Sequence, residues 1–361
     1  MKKTLLIALF LLSTLAFARD PKIVAVATDS GGYPAKALCF FSNNHMVPHP
    51  EGLLVLYTCL GGPDLNSEIW LVKDKPTQIG VSEMGNLFSE PFVRNGVIYF
   101  FEFNEFATLN LWIFQDGVLI SQKLPENLKG AHVHDFALVG DTFYFRYTNR
   151  ASGEHGEGEF KDSFTVLPSR GPEFFWKASA NGEIMLQKTK LASGEAVELR
   201  KRDAQVPVVI LRDQKADPTS PFLSLRNQFG LSGNRWVSFA RTEKGLTLIR
   251  GENESFTMEN VSAIFKDSQF WPPALSKDGE VIFRGTDMNG QFALWGYKDG
   301  VKRLVLGSGQ VIQDESESVV TSSRSLLYNS PVFDKDGNLF IGVGLRAPEA
   351  SADFGQGILS L

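Results

Sequence analysis

The sequence predicts an all-β chain, a single β-propeller of seven four-stranded blades, and three observations carry that prediction. Seven glycines in tight turns, Gly52, Gly96, Gly140, Gly182, Gly233, Gly279 and Gly337, are each followed at once by a short hydrophobic run. Their spacings are 44, 44, 42, 51, 46 and 58 residues, the period of a unit of four short strands that must stack on its neighbours to bury its faces. Three units also repeat a tryptophan at nearly constant distance: Trp70 lies 18 residues after Gly52, Trp112 16 after Gly96, and Trp295 16 after Gly279.

Taken in order, the chain opens with Lys2 and Lys3, an apolar stretch from Leu5 to Leu15, and Ala16-Phe17-Ala18. That order reads as a secretory signal over residues 1–18 with a small-x-small cleavage site. The alternative, a membrane anchor, needs roughly 20 apolar residues. The expected mature chain, 19–361, is one propeller domain exported to the periplasm or beyond, with no membrane-spanning segment. Removing the two lysines takes the formal net charge from −5 to about −7. An acidic chain with no basic block argues against nucleic acid as a partner. Cys39 and Cys59 can pair in an oxidising compartment, tying the first blade to the segment before it; the alternative is two buried thiols.

The clearest unit starts at Trp271. It runs through an entering strand at Pro273 to Leu275, a turn at Asp278-Gly279, a strand at Val281 to Phe283, a third ending at Leu294-Trp295, a turn at Asp299-Gly300 and a fourth at Arg303 to Leu306. Asp-Gly and Asn-Gly between apolar runs are hairpin signals, because glycine accepts positive φ. The same order recurs from Ser89 to Gln122 and around Gly52. The units around Gly140, Gly182 and Gly233 are looser, with Phe160, Leu199 and Leu248 as third-strand residues. The last unit shows only three strands, at Pro331 to Phe333, Leu339 to Val343 and Gly357 to Leu361. Ile23 to Ala27 is the expected fourth, a clasp that pairs the two chain ends and removes an open sheet edge. Six blades plus an irregular element is the alternative. Ser152 to Gly158 and Gln313 to Ser325 read as exposed connections.

The unit from Pro272 to Val305 resembles the WD40-like repeat of the TolB type, on Pro273, Ser276, Asp278, Gly279, Leu294 and Trp295. The match is partial around Gly52, Gly96 and Gly337. The resemblance implies an exported propeller with a loosely defined role in protein interaction.

Residues at equal offsets before the turn glycines should form rings around the central channel. Six before, the ring reads Met46, Glu90, His134, Trp176, Asn227, Pro273 and Pro331; seven before includes His45, Arg226 and Pro272; eight before includes His132 and Trp271. Aromatics mixed with isolated polar groups suit a small-ligand or peptide pocket. The candidate ligand-binding set is therefore His45, Glu90, His132, His134, Asp135, Trp176, Arg226, Asn227 and Trp271. His132 and His134 alternate on one strand and can point together beside Asp135, as a metal or acid–base group or as hydrogen-bonded inter-blade residues. Phe174, Phe175, Trp176, Phe270 and Trp271 offer a stacking platform or inter-blade core. Glu90, Asp135 and Glu173 contain a possible carboxylate pair. There is no G-x-S-x-G elbow, no H-E-x-x-H and no phosphate loop, so no catalytic motif, metal or cofactor is assigned. Asp334-x-Asp336-Gly337 reads as a hairpin turn and lacks the downstream ligand of a calcium loop. The expected function is binding of a protein or glycan in the envelope or outside the cell. A hydrolase or lyase with a His and carboxylate pair is the alternative.

Overall fold

The computed structural model describes residues 22–28, 31–32, 39–60, 65–73, 76–149, 152–161, 163–167, 176–202, 204, 206–268, 271–307, 309–313, 318–321, 330–346 and 355–361. They form seven small antiparallel sheets, the blades of a seven-bladed propeller. Blade one is Cys39–His49, Gly52–Leu60, Leu65–Val72 and Thr77–Val81, from the channel outwards. Blades two to six follow over 87–123, 131–167, 176–212, 224–260 and 265–307. Blade seven mixes both ends of the chain: Leu339–Arg346 pairs with Gly355–Ser360, and the outer edge of that strand is covered by Lys22–Thr28. The expected clasp is present, with Ile23 opposite Leu359 and Val26 opposite Gly357.

The turn glycines work in two ways. Six of them, all but Gly52, have positive φ between 57° and 90°, a region where an L side chain is strained. Gly52 instead marks a close approach, because a Cβ there would collide with the Val72 carbonyl oxygen of the adjacent strand. Cys59 is disulfide-bonded; the ladder sets Cys39 directly opposite it, and the chain has no third cysteine.

The third strand of blade three, Glu154–Phe160, corrects an expectation, since 152–158 reads as an exposed loop. Its glycines explain the misreading. Gly156 lies opposite Tyr147 and Gly158 opposite Phe145, and each aromatic ring occupies the space that a Cβ on the facing glycine would fill. The rings provide the packing that the glycines lack. Residues 313–325 are likewise not wholly loop, because Ser318–Thr321 forms a strand pairing with Val311–Gln313 and with Leu345 and Arg346.

Each junction between neighbouring blades holds its own cluster of buried side chains. Between blades five and six, Phe265 contacts the rings of Phe283, Trp295 and Tyr297. Polar links add a second layer along the turn-glycine rim, where a donor on one blade reaches the first turn of the next. His49 Nε2 lies 3.2 Å from the Gly96 carbonyl, Arg94 donates to the Asp141 carbonyl at 2.9 Å, and Asn181 donates to that of Gly233 at 2.8 Å. Arg235 donates to the Lys277 carbonyl, and Lys277 in turn to that of Lys335. Blades three and four are joined there through the backbone, Gly140 N–H donating to the Gly182 carbonyl at 2.5 Å and Gly182 N–H to the Leu138 carbonyl at 3.1 Å. This rim holds the channel mouth in shape.

Candidate functional site

The innermost strands define the site, because most of them break on the way to the rim. Blade two has Leu87–Phe88 then Phe92–Arg94, blade five Ser224–Leu225 then Gly230–Ser232, blade six Phe265–Ser268 then Ala274–Leu275, and blade seven Ser318–Thr321 then Val332–Phe333. In each, both pieces pair with the same second strand. Blades one and three keep a continuous inner strand but jump in register between Phe41 and Met46 and between His134 and Ala137. Pro91, Pro272, Pro273 and Pro331 fall in these interruptions, where a residue with no N–H to give a ladder is tolerated.

The rim-side pieces enclose a cavity of about 600 Å³ at the channel mouth. Four residues of the ring six before the turn glycines line it: Met46, Glu90, Pro273 and Pro331. A second ring, four before the glycines, lines it as well: Pro48, Phe92, Phe136, Phe229, Leu275 and Phe333. Phe92 and Phe136 meet edge to face across blades two and three, centroids 5.4 Å apart. Among the described residues the mouth is thus an apolar collar whose polar groups are Glu90, Asn181, Ser232, Ser330 and the rim residues Lys277, Asp334 and Lys335.

Glu90 sits at the break of blade two. Ser89 shapes the kink by accepting from the Phe101 N–H at 3.0 Å and donating to the Glu90 carbonyl at 3.0 Å. The Glu90 side chain lines the cavity and keeps an exposed surface there. Desolvation in the channel mouth raises its carboxyl to about 8, and no charged group among the described residues adds to that shift. At neutral pH Glu90 is therefore a neutral carboxylic acid, able to donate a hydrogen bond into the cavity.

The other candidates are placed as follows. Arg226 is turned away from the mouth into an ion pair with Asp267 at 3.3 Å, joining blades five and six. Asn227 is half-buried in the break of blade five and is not among the lining residues. His132 is half-buried with its ring edge-on to Phe103 at 5.3 Å. Trp271 is half-buried, and its ring lies 5.8 Å from the Arg284 guanidinium. The backbones of His45, His134, Asp135 and Trp176 belong to inner strands; their side chains, and all of Glu173, Phe174, Phe175 and Phe270, lie outside the described residues. Among the described residues no group of three or more His, Cys, Asp or Glu gathers as a metal site. Asp334 is occupied by its own hairpin, accepting from the N–H groups of Asp336 and Asn338 at 2.9 and 2.8 Å.

The residues of the TolB-type resemblance shape the blade. Ser276 caps its turn by accepting from the Glu280 N–H at 2.8 Å. Asp278 is held by Lys298 and Ser276, which keep its carboxyl down at about 2. Trp295 donates to the Gly285 carbonyl at 3.1 Å.

No protein-family model matches the chain, and no curated protein matches it. Solved structures do share its architecture. An oligogalacturonate lyase in complex with manganese superposes with a TM-score of 0.58 at 11% identity, over 90% of this chain and 90% of that one. A puromycin-hydrolyzing peptidase of Mycobacterium tuberculosis gives 0.52 at 11% identity, over 92% of this chain and 56% of that one. At such identities the likeness is one of fold.

Proposed function

We propose that this chain is an exported ligand-binding propeller whose channel mouth takes a neutral segment of a glycan or peptide. The observation that carries this reading is the apolar Phe, Pro and Leu collar around one carboxyl held neutral at physiological pH. Such a collar desolvates a sugar face or an apolar side chain, and a neutral Glu90 supplies a directed donor to a hydroxyl or carbonyl oxygen. A disulfide-bonded Cys59 fits an oxidising compartment, in line with the signal-like residues 1–18.

A second reading, a hydrolase or lyase, is favoured by the same Glu90. A carboxyl raised towards neutrality is what a general acid needs. The fold neighbours named as a lyase and a peptidase show that such scaffolds occur among enzymes. The partner group would come from His134 or Asp135 on the adjacent inner strand.

The test is calorimetric titration of neutral oligosaccharides and end-blocked peptides into the chain lacking residues 1–18, at pH 6.5 and 9.5. Ligands that bind at pH 6.5 are expected to weaken about tenfold at pH 9.5, the loss of one hydrogen bond, and Glu90→Gln should flatten that dependence. Binding indifferent to both pH and Glu90→Gln would contradict the reading. Accumulation of cleaved product in the same samples would favour the enzyme.

A further inference from the structure

The cavity at the channel mouth has a charge opposite to that of the chain. The sequence holds 36 basic against 41 acidic residues, whereas the ionisable side chains among the described lining residues are Lys277, Lys335, Asp334 and Glu90. With Glu90 neutral, two cations face one anion. Both cations lie in the first turns of neighbouring blades, Lys277 in blade six and Lys335 in blade seven, each two residues before its turn glycine. The Lys277 ammonium donates to the Lys335 carbonyl oxygen, which places it against the backbone that bears the second lysine.

The carboxylates nearest in sequence are engaged elsewhere. Asp278 is held by Lys298 at 2.8 Å and by Ser276, and Glu280 by Arg303. Asp334 accepts from the N–H groups of Asp336 and Asn338 and from the Asn338 side-chain amide at 2.7 Å. Asp336 does not line the cavity. Blade two shows the contrast, because Arg94, at the same offset before Gly96, is paired with the Asp141 carboxylate at 2.9 Å. The other members of that ring, Pro50, Leu138, Ala180 and Leu231, are uncharged. Among the described residues the rim is therefore positive on the side of blades six and seven.

Glu90 stands across the cavity. Blade six is three places round the ring of seven from blade two, the greatest separation the ring allows. A ligand that fills the cavity meets a carboxylic acid on one wall, two ammonium groups on the other, and phenylalanines and prolines between.

We propose that Lys277 and Lys335 form a carboxylate subsite on the rim, and that the ligand is a short peptide placing an apolar side chain in the collar and a carboxylate between these two ammonium groups. The subsite rests on the channel-mouth reading. A peptide suits the collar better than a sugar, because the described lining offers few polar groups to a ring of hydroxyls. A carboxylate suits the rim better than a phosphate, since Asp334 already offsets one of the two lysines and a single negative charge offsets the other.

The test is calorimetric titration of two matched pairs of peptides into the chain lacking residues 1–18: N-acetyl-phenylalanyl-alanine against its C-terminal amide, and N-acetyl-phenylalanyl-aspartyl amide against its asparaginyl counterpart. At least one acid should bind about fivefold more tightly than its neutral partner, the scale of an ion pair at a partly exposed site. Which acid succeeds separates a peptide C-terminus from an acidic side chain. Raising the salt to about 0.5 M should shrink the preference. Lys277→Gln combined with Lys335→Gln should abolish it, and Lys277→Arg combined with Lys335→Arg should keep most of it. Acids and neutral partners binding equally would overturn the subsite and leave the channel reading standing. A preference that survives the double glutamine variant would place the anion elsewhere and overturn it too. No binding by any of the four peptides would overturn the proposal, and the channel reading falls with it only if neutral oligosaccharides fail as well.

Discussion

A mature chain shortened to begin after Thr28 is expected to lose cooperative folding and accumulate as aggregate. The clasp strand makes six register pairs with Gly355–Ser360. At roughly 0.5–1.5 kcal/mol net for each hydrogen bond, its loss removes on the order of 5 kcal/mol, comparable to the whole stability of many domains. It also bares an edge beside Ile358 and Leu359, both completely buried, and an open apolar edge is a template for association. Light scattering and urea unfolding of the shortened and full mature chains check this. A soluble shortened chain with an unchanged urea midpoint would show that the ring closes without its N-terminal strand.

Phe265→Ala is expected to cost about 3–5 kcal/mol, the usual range for deleting a large buried aromatic. Phe265 is 1% exposed and lies against Phe283, Trp295 and Tyr297 at centroid distances of 4.9, 6.0 and 5.7 Å. Its removal leaves a void between blades five and six that three rings on one rigid sheet cannot collapse to fill. Equilibrium urea unfolding measures the loss. A change below 1 kcal/mol would mean that the junction repacks freely.

Turn chemistry made most of this fold legible in the sequence. Asn95-Gly96, Asp116-Gly117 and Asp299-Gly300 all take positive φ at both positions, which is why these pairs mark hairpins so reliably. The clasp was legible because the last unit lacked a strand and 23–27 offered one. Blade three was harder. Glu154–Phe160 alternates acids with glycines and resembles a loop until Tyr147 and Phe145 are seen covering the glycines. The breaks in the inner strands were signalled by prolines, but a proline marks only the end of a ladder and not where it resumes.

The site was legible in part. Counting back from the turn glycines found Glu90, and counting back four residues instead of six to eight would have found the collar of Phe92, Phe136, Phe229 and Phe333. Arg226 misled, because an arginine at a channel offset can equally turn between blades, and Asp267 was there to receive it.

The proposed site depends on Glu90 being a neutral acid at the channel mouth, and its titration tests that most directly. Side-chain carboxyl resonances of ¹³C-glutamate-labelled protein, assigned by comparison with Glu90→Gln, should show one carboxyl titrating near 8 instead of the ordinary 4.5. Because the folded value lies above the unfolded one, Glu90 contributes stability that is fully present below about 4.5 and is lost as pH rises to about 8. Glu90→Gln should lack that decline. A Glu90 resonance titrating near 4.5 would make it an ordinary solvated carboxylate and contradict the proposed site.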